Sequence, residues 1–460
     1  MKEDLPMSVT EYSGLPMELL KKSDSISGNI VSIFAYLFLF IPNLIGCWMA
    51  LILIQPKIGN WLHSYSYGKW AMLHLNLQLY GWSSIPLLGA FSLYFMNKNK
   101  QSSPHDILII CLLWTIALIG GSWHWLSGGS SGKIFLDWSG HSLHLFCGSI
   151  LLIWAVLVWN FLSAFKSDKV KYSAKNIIEG LGLLTLLAVP ISLFLTSHDN
   201  VYPPINPNSG GATGHSLLAS TSGLIFIILL LFSYILPNNS QKNLPLKICW
   251  GYLLFCLISY LGIRHGNASN DETNQILGLA VLLGWIPLLS IYFRTLSLNV
   301  FGKKWSMALI FWWALLTLNG FTFFIPDWLI QTKFTNGFVA HSHLAMAGFV
   351  TALNQVILSQ IQNPVAESES KTTTFYLWNV SLGLYLISMF SSGIYENNNF
   401  TGFMNHSAYV QFLYSLRLIA GLGMTLASAI WFVRAYRPLL QNFKTRSTLS
   451  NTQSTVVYPS

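Results

Sequence analysis

The chain has 460 residues, of which 53 % are hydrophobic and only 9 % charged, against about 25 % charged in an ordinary soluble domain. That balance excludes a water-solvated globular enzyme and makes the lipid bilayer the main solvent. The net charge of +9 does not imply nucleic acid, because of where the cations fall. Apolar stretches of about 20 residues, the length a hydrocarbon core about 30 Å thick requires, recur from end to end. They predict twelve helical spans, at 26–54, 68–95, 107–126, 140–163, 176–196, 211–236, 247–265, 275–294, 305–325, 337–360, 374–394 and 408–434. Residues 1–25 read as a polar N-terminal segment with no signal peptide. Residues 26–435 form one twelve-span unit, and 436–460 a Ser/Thr-rich tail expected to be disordered.

Sorted by side, nineteen of the 25 Lys and Arg residues fall on the face shared by the two termini. Lys57, Lys69, Lys133, Arg264 and Lys333 fall on the other face, and Arg417 alone lies well inside a span. This asymmetry is the positive-inside pattern, so both termini are expected to be cytoplasmic and the basic balance serves insertion. Since a lipid-facing cation at that depth is expensive, Arg417 either meets a cofactor carboxylate such as a haem propionate, for which it lies deep, or is a snorkelling or helix-interface residue. The five cysteines have no paired spacing and are read as packing residues. The glycine-rich stretches 127–132 and 209–214 lack the lysine and the strand context of a nucleotide-binding loop. They read as tight outer turns.

Eleven of the twelve histidines fall in the outer half of this topology, although histidines played no part in assigning it. His74, His141, His144, His215, His341 and His343 lie early in spans 2, 4, 6 and 10; His124 and His265 end spans 3 and 7. His63, His198 and His406 lie in outer loops or at span ends, and only His105 is on the inner side. Imidazoles buried at one depth need partners, and metal, haem iron in particular, suits the set. His341 and His343 are two residues apart, so on a helix they point about 200° apart. They therefore serve two sites on opposite sides of span 10, and His74 can supply the opposite axial ligand to one of them. The competing reading is that each histidine bonds a carbonyl or hydroxyl across a helix interface. Trp70, Trp82, Trp123, Trp125 and Trp138 surround the same half, as an interfacial belt or as walls to a cofactor.

The order and placement of several short stretches resemble the catalytic subunit I of haem-copper oxygen reductases, nearest the cbb3-like and nitric-oxide-reductase-like branch. They are Leu73-His74-Leu75-Asn76 with Tyr80-Gly81-Trp82, and Ala340-His341-Ser342-His343-Leu344. Gly214-His215, Gly262-Ile263-Arg264-His265 and the segment Gly132 to Trp138 complete the set. The resemblance covers most of the chain and implies an all-α, twelve-helix bundle in a bacterial inner membrane. It implies that His74 and His343 hold a low-spin haem and that His341 is the proximal ligand of a high-spin haem. His215 and His265 would hold a distal metal, copper or non-haem iron. The implied activity is that of a cytochrome c oxidase, reducing oxygen to water, with a cytochrome c or haem c subunit as donor and further oxidase subunits as partners.

The sequence departs from that pattern at span 7, where the family has adjacent histidines and this chain has His265-Gly266-Asn267. Tyr260 precedes the histidine, so it is not equivalent to the tyrosine that oxidases crosslink to a ligand. His141 or His144 offers a replacement third ligand. The departure keeps two alternatives open, a nitric oxide reductase and a haem-binding electron relay without a complete distal site. For proton delivery the spans offer Glu179 and the hydroxyls of Thr185, Thr213, Ser216, Ser220 and Thr221. A transporter reading would need internal repeats or discontinuous binding helices, which the sequence does not display.

Overall fold

The computed structural model describes residues 17–62, 65–99, 103–131, 133, 135–166, 173–202, 213–236, 244–265, 272–362 and 369–453. Among these there is no strand. The helices are α1 (Met17–Ile54), α2 (Tyr67–Asn76), α3 (Ile85–Lys98), α4 (Pro104–Leu126), α5 (Gly140–Lys166), α6 (Ala174–Leu186) and α7 (Ala188–Thr196). They continue as α8 (Gly214–Leu230), α9 (Leu244–Gly262), α10 (Thr273–Leu283), α11 (Trp285–Arg294) and α12 (Val300–Thr322). The last six are α13 (Pro326–Thr332), α14 (Asn336–His343), α15 (Thr351–Ile361), α16 (Glu369–Asn398), α17 (Phe400–Met404) and α18 (Ala408–Gln453). All-helical architecture follows from the solvent: in hydrocarbon each backbone N–H must find its carbonyl within the segment.

Eleven of the described helical segments are long and apolar enough to cross a membrane, which makes the chain a multi-pass membrane protein. The expected span at 68–95 is not among them. Its residues are helical, but a π-helical segment, Leu77–Trp82, and a turn at Ser83 and Ser84 divide α2 from α3. Neither piece alone reaches the length a crossing needs. Two other breaks leave their spans whole: Pro190 lies near the start of α7, and Pro287 near the start of α11. The last helix differs from expectation in the other direction. It runs on to Gln453, through most of the segment read as a disordered tail. After Pro438 that stretch contains no Gly or Pro to stop it.

Helix α1 packs along α18, α18 along α16, and α16 along α14, while α12 lies against α15 and α10 against α8. One continuous core runs through them, with Trp82, Trp125, Trp285, Trp305 and Trp378 buried in it. Of the five tryptophans expected around the outer half, Trp82, Trp125 and Trp138 are core residues, whereas Trp123 is 73 % exposed. All five cysteines are free, four of them buried, as packing residues should be. The turn after α4 is closed by Gly128, whose φ of 90° a side chain would resist. Of the second glycine-rich stretch, 209–214, residues 209–212 lie outside the described residues, and Thr213 and Gly214 open α8.

Candidate functional site

Span 10 is where the site is built, and its start is fixed by two polar groups. The Thr335 hydroxyl accepts from the Gly337 N–H, and a Glu396 carboxylate oxygen accepts from the Asn336 N–H at 2.9 Å. The helix α14 then carries His341 and His343 in its last turn, and a second π-helical segment, Leu344–Val350, follows at once. His74 is likewise in the last turns of α2, immediately ahead of the π segment Leu77–Trp82. A π turn inserts one residue into the helical register and is frequent at functional sites. Here the two insertions are tied together. Trp82 Nε1 donates to Thr351 Oγ1 at 3.0 Å, and Asn354 Nδ2 donates to the Trp82 carbonyl at 2.7 Å.

The outcome is that His74 and His343 meet. Their ring centres are 6.2 Å apart and their planes are inclined by 22°. Each Nδ1 faces a carbonyl oxygen, which can only accept: His74 donates to Pro42 at 2.6 Å and His343 to Val339 at 2.9 Å. In a neutral imidazole the lone pair is then on Nε2, the nitrogen free to bind a metal. On α1, Gly46 faces the His74 ring so closely that a Cβ there would lie 2.9 Å from Cε1. The same turn of α1 borders an apolar cleft of about 520 Å³, walled also by Trp48, Leu62, Trp70, Leu418 and Leu422. On its wall Trp48 Nε1 is buried with no hydrogen-bond partner among the described residues.

His341 turns the other way. Its Nδ1 is 2.8 Å from the Asn319 amide oxygen on α12, and its ring packs on Phe323 and Phe338. The opposed directions read from the two-residue spacing are therefore present. His215 and His265 also come together, with ring centres 5.2 Å apart and planes at 81°. Gln275, fully buried at the start of α10, organises this pair. Its Oε1 accepts the His215 N–H at 2.9 Å, and its Nε2 donates to the Arg264 carbonyl at 3.1 Å. His215 Nδ1 is engaged by Thr213 Oγ1 at 3.0 Å, which leaves Nε2 available. The Tyr260 ring stacks edge-on against His265 at 4.5 Å.

The rest of the histidine cluster divides differently. His144 donates to the Gly140 carbonyl and packs on Phe194, and His198 bonds the Phe194 carbonyl. His124 Nε2 lies 2.8 Å from Ser139 Oγ and braces the loop that follows α4. These are helix-interface and loop histidines. His63 lies outside the described residues. Among the described residues no three His, Cys, Asp or Glu side chains converge as a metal set, so neither His141 nor His144 joins His215 and His265. Glu179, on the proton-delivery list, is held by the Tyr94 hydroxyl and by Lys98 in an ion pair.

Sequence reasoning did not find Asn319, Gln275, Glu396 or Tyr385. Each acts on a histidine helix from another helix; Gln275 and Glu396 fall in polar stretches, 270–275 and 396–399, whereas Asn319 and Tyr385 stand out in largely apolar runs. For the latter two that contrast was the available signal. No model of a known protein family matches the chain, and no curated protein sequence matches it.

Proposed function

We propose that the chain is a haem-binding electron-transfer protein of the bacterial inner membrane, built as a twelve-span subunit I of the haem-copper oxygen reductase type with cytoplasmic termini. The observation that carries this is the His74–His343 pair, with both Nδ1–H groups committed to backbone carbonyls. A metal ion held by Nε2 of both rings, through bonds of roughly 2 Å with about 1 Å more from each nitrogen to its ring centre, would set those centres about 6 Å apart. The 6.2 Å separation fits that value. The apolar cleft and the side-chain-free surface at Gly46 fit the edge of a flat apolar group beside the pair. His341, with its own Nδ1 committed to Asn319, would hold a second haem on the other side of span 10.

Haems bound there would supply one-electron transfer at the first site and diatomic-ligand binding at the second. The residues' part is to hold each imidazole in one tautomer and one rotation. The two-residue spacing of His343 and His341 would place the two groups on either side of one helix. In this reading electrons arrive from an outer cytochrome c or haem c subunit and leave by reduction of oxygen to water. Copper does not fit the distal pair as described, since three imidazoles are the family's set and two meet here. No step is assigned to it. That shortfall favours a second reading, an electron relay that keeps one or both haems and has no complete distal metal; a nitric oxide reductase would need a carboxylate there, and none converges among the described residues.

Reduced-minus-oxidised spectra of the purified protein test the haem reading, and carbon-monoxide difference spectra separate the two functions. Absence of haem bands would refute both. Low-spin bands without carbon-monoxide binding would leave only the relay. His74→Ala and His343→Ala should abolish the low-spin bands, and His341→Ala should abolish carbon-monoxide binding while sparing them.

A further inference from the structure

Arg417 is 8 % exposed in the midst of α18, in a segment otherwise apolar enough to cross a membrane. A cation at such a place needs compensation, yet no carboxylate among the described residues lies within ion-pair distance of it. Its surroundings are tyrosines from three helices. Tyr67 at the start of α2 hydrogen-bonds it, Tyr414 lies one turn earlier on α18, and the guanidinium carbon is 5.6 Å from the centre of the Tyr385 ring. An aromatic face compensates a cation by its quadrupole and leaves the net charge in place. Tyr385 is itself packed on His343, with ring centres 4.4 Å apart and its hydroxyl 3.5 Å from Nδ1. The charge therefore lies at most about 10 Å from the His343 ring, the limit set by those two ring distances.

We infer that Arg417 is a fixed cation that raises the reduction potential of the iron held between His74 and His343, acting across the ring of Tyr385. The inference rests on the haem reading above. The oxidised iron carries one more positive charge than the reduced iron, so a nearby cation disfavours oxidation. At an effective dielectric near 20 and about 12 Å, one charge changes the reduced-to-oxidised ratio at fixed ambient potential by roughly tenfold. Arginine stays protonated throughout the accessible pH range, so the effect does not titrate. Arg417 touches neither proposed axial histidine in this account; it is a positioning charge.

The test is a spectroelectrochemical titration of the low-spin band in the parent protein and in Arg417→Met, Arg417→Gln and Arg417→Lys. Both neutral variants should give a lower midpoint with an unchanged band shape, and the lysine variant should stay close to the parent. An unshifted midpoint in either neutral variant would overturn the inference while leaving the haem reading intact. Loss of haem from both neutral variants, with full haem in the lysine variant, would overturn it too, by assigning Arg417 to assembly. A parent protein without a low-spin band removes the haem reading itself.

Discussion

Thr351→Val probes the link between the π segments Leu77–Trp82 and Leu344–Val350, and its cost can be worked from contacts alone. Thr351 is fully buried. Its hydroxyl accepts from Trp82 Nε1 at 3.0 Å and donates to the Met346 carbonyl at 3.0 Å, inside the π segment that follows His343. Valine fills nearly the same volume, so no cavity is made, but it strands the Trp82 N–H in a site no water reaches. An orphaned buried donor costs about 1–3 kcal/mol. The Met346 carbonyl is a smaller loss, because it keeps the backbone N–H of Thr351. Unfolding of the detergent-purified protein, followed by far-ultraviolet circular dichroism against added denaturing detergent, should show a lower midpoint for Thr351→Val. Thr351→Ser, which retains the hydroxyl, should recover most of it. On the haem reading the low-spin band of Thr351→Val should also broaden, since the hydroxyl ties the segment Leu77–Trp82 to the start of α15. A valine variant as stable as the parent would refute the claim that this bond couples the two insertions.

Other substitutions address single contacts. Gly46→Ala places a methyl 2.9 Å from the His74 ring, which must shift it; low-spin haem content should fall, and a full spectrum would show that the glycine is not required. Asn319→Leu removes the acceptor 2.8 Å from His341 Nδ1 and should cost about 1–3 kcal/mol while weakening carbon-monoxide binding more than it alters the low-spin band. Equal effects on both bands would count against separate sites. Gln275→Leu cuts the bonds to the His215 N–H and the Arg264 carbonyl. If His215 and His265 hold a metal, bound non-haem metal per protein should drop in this variant; unchanged metal content would disconnect Gln275 from the site.

Much of the fold is written in hydropathy, since a run of about 20 apolar residues has one stable form in a bilayer. The break within Tyr67–Lys98 has a local cause. Hydropathy averages over a window and cannot see that Ser83 and Ser84 turn their hydroxyls back onto the carbonyls of Gln78 and Leu79, each five residues earlier. Those bonds stabilise the π turn and so break the helix. The final helix was missed for the opposite reason. Its Ser/Thr-rich composition suggested disorder, whereas continuity with a long helix avoids the cost of nucleation.

The histidines were legible by depth and spacing, and these properties proved unequal as guides. Depth put eleven of them in one group, but His124, His144 and His198 bond a hydroxyl or carbonyl within their own neighbourhood. Spacing discriminated better. The two-residue interval of His341 and His343 demands opposed rings, and these rings do find different partners, Asn319 on α12 and the His74–Tyr385 pair. What no interval could reveal is the group that fixes the rings of His74 and His341, because those partners lie on other helices, whereas His343 bonds the Val339 carbonyl of its own helix. For His74 the acceptor is a main-chain carbonyl, that of Pro42, and main-chain atoms leave no mark in a sequence. Ring orientation is what a metal ligand requires beyond proximity. The three proposed haem ligands share one feature that the bracing His124 does not: Nδ1 is spent on an oxygen acceptor and Nε2 is left open. His144 and His198 spend Nδ1 on a carbonyl in the same way, so what sets His74 and His343 apart is the second imidazole 6.2 Å away.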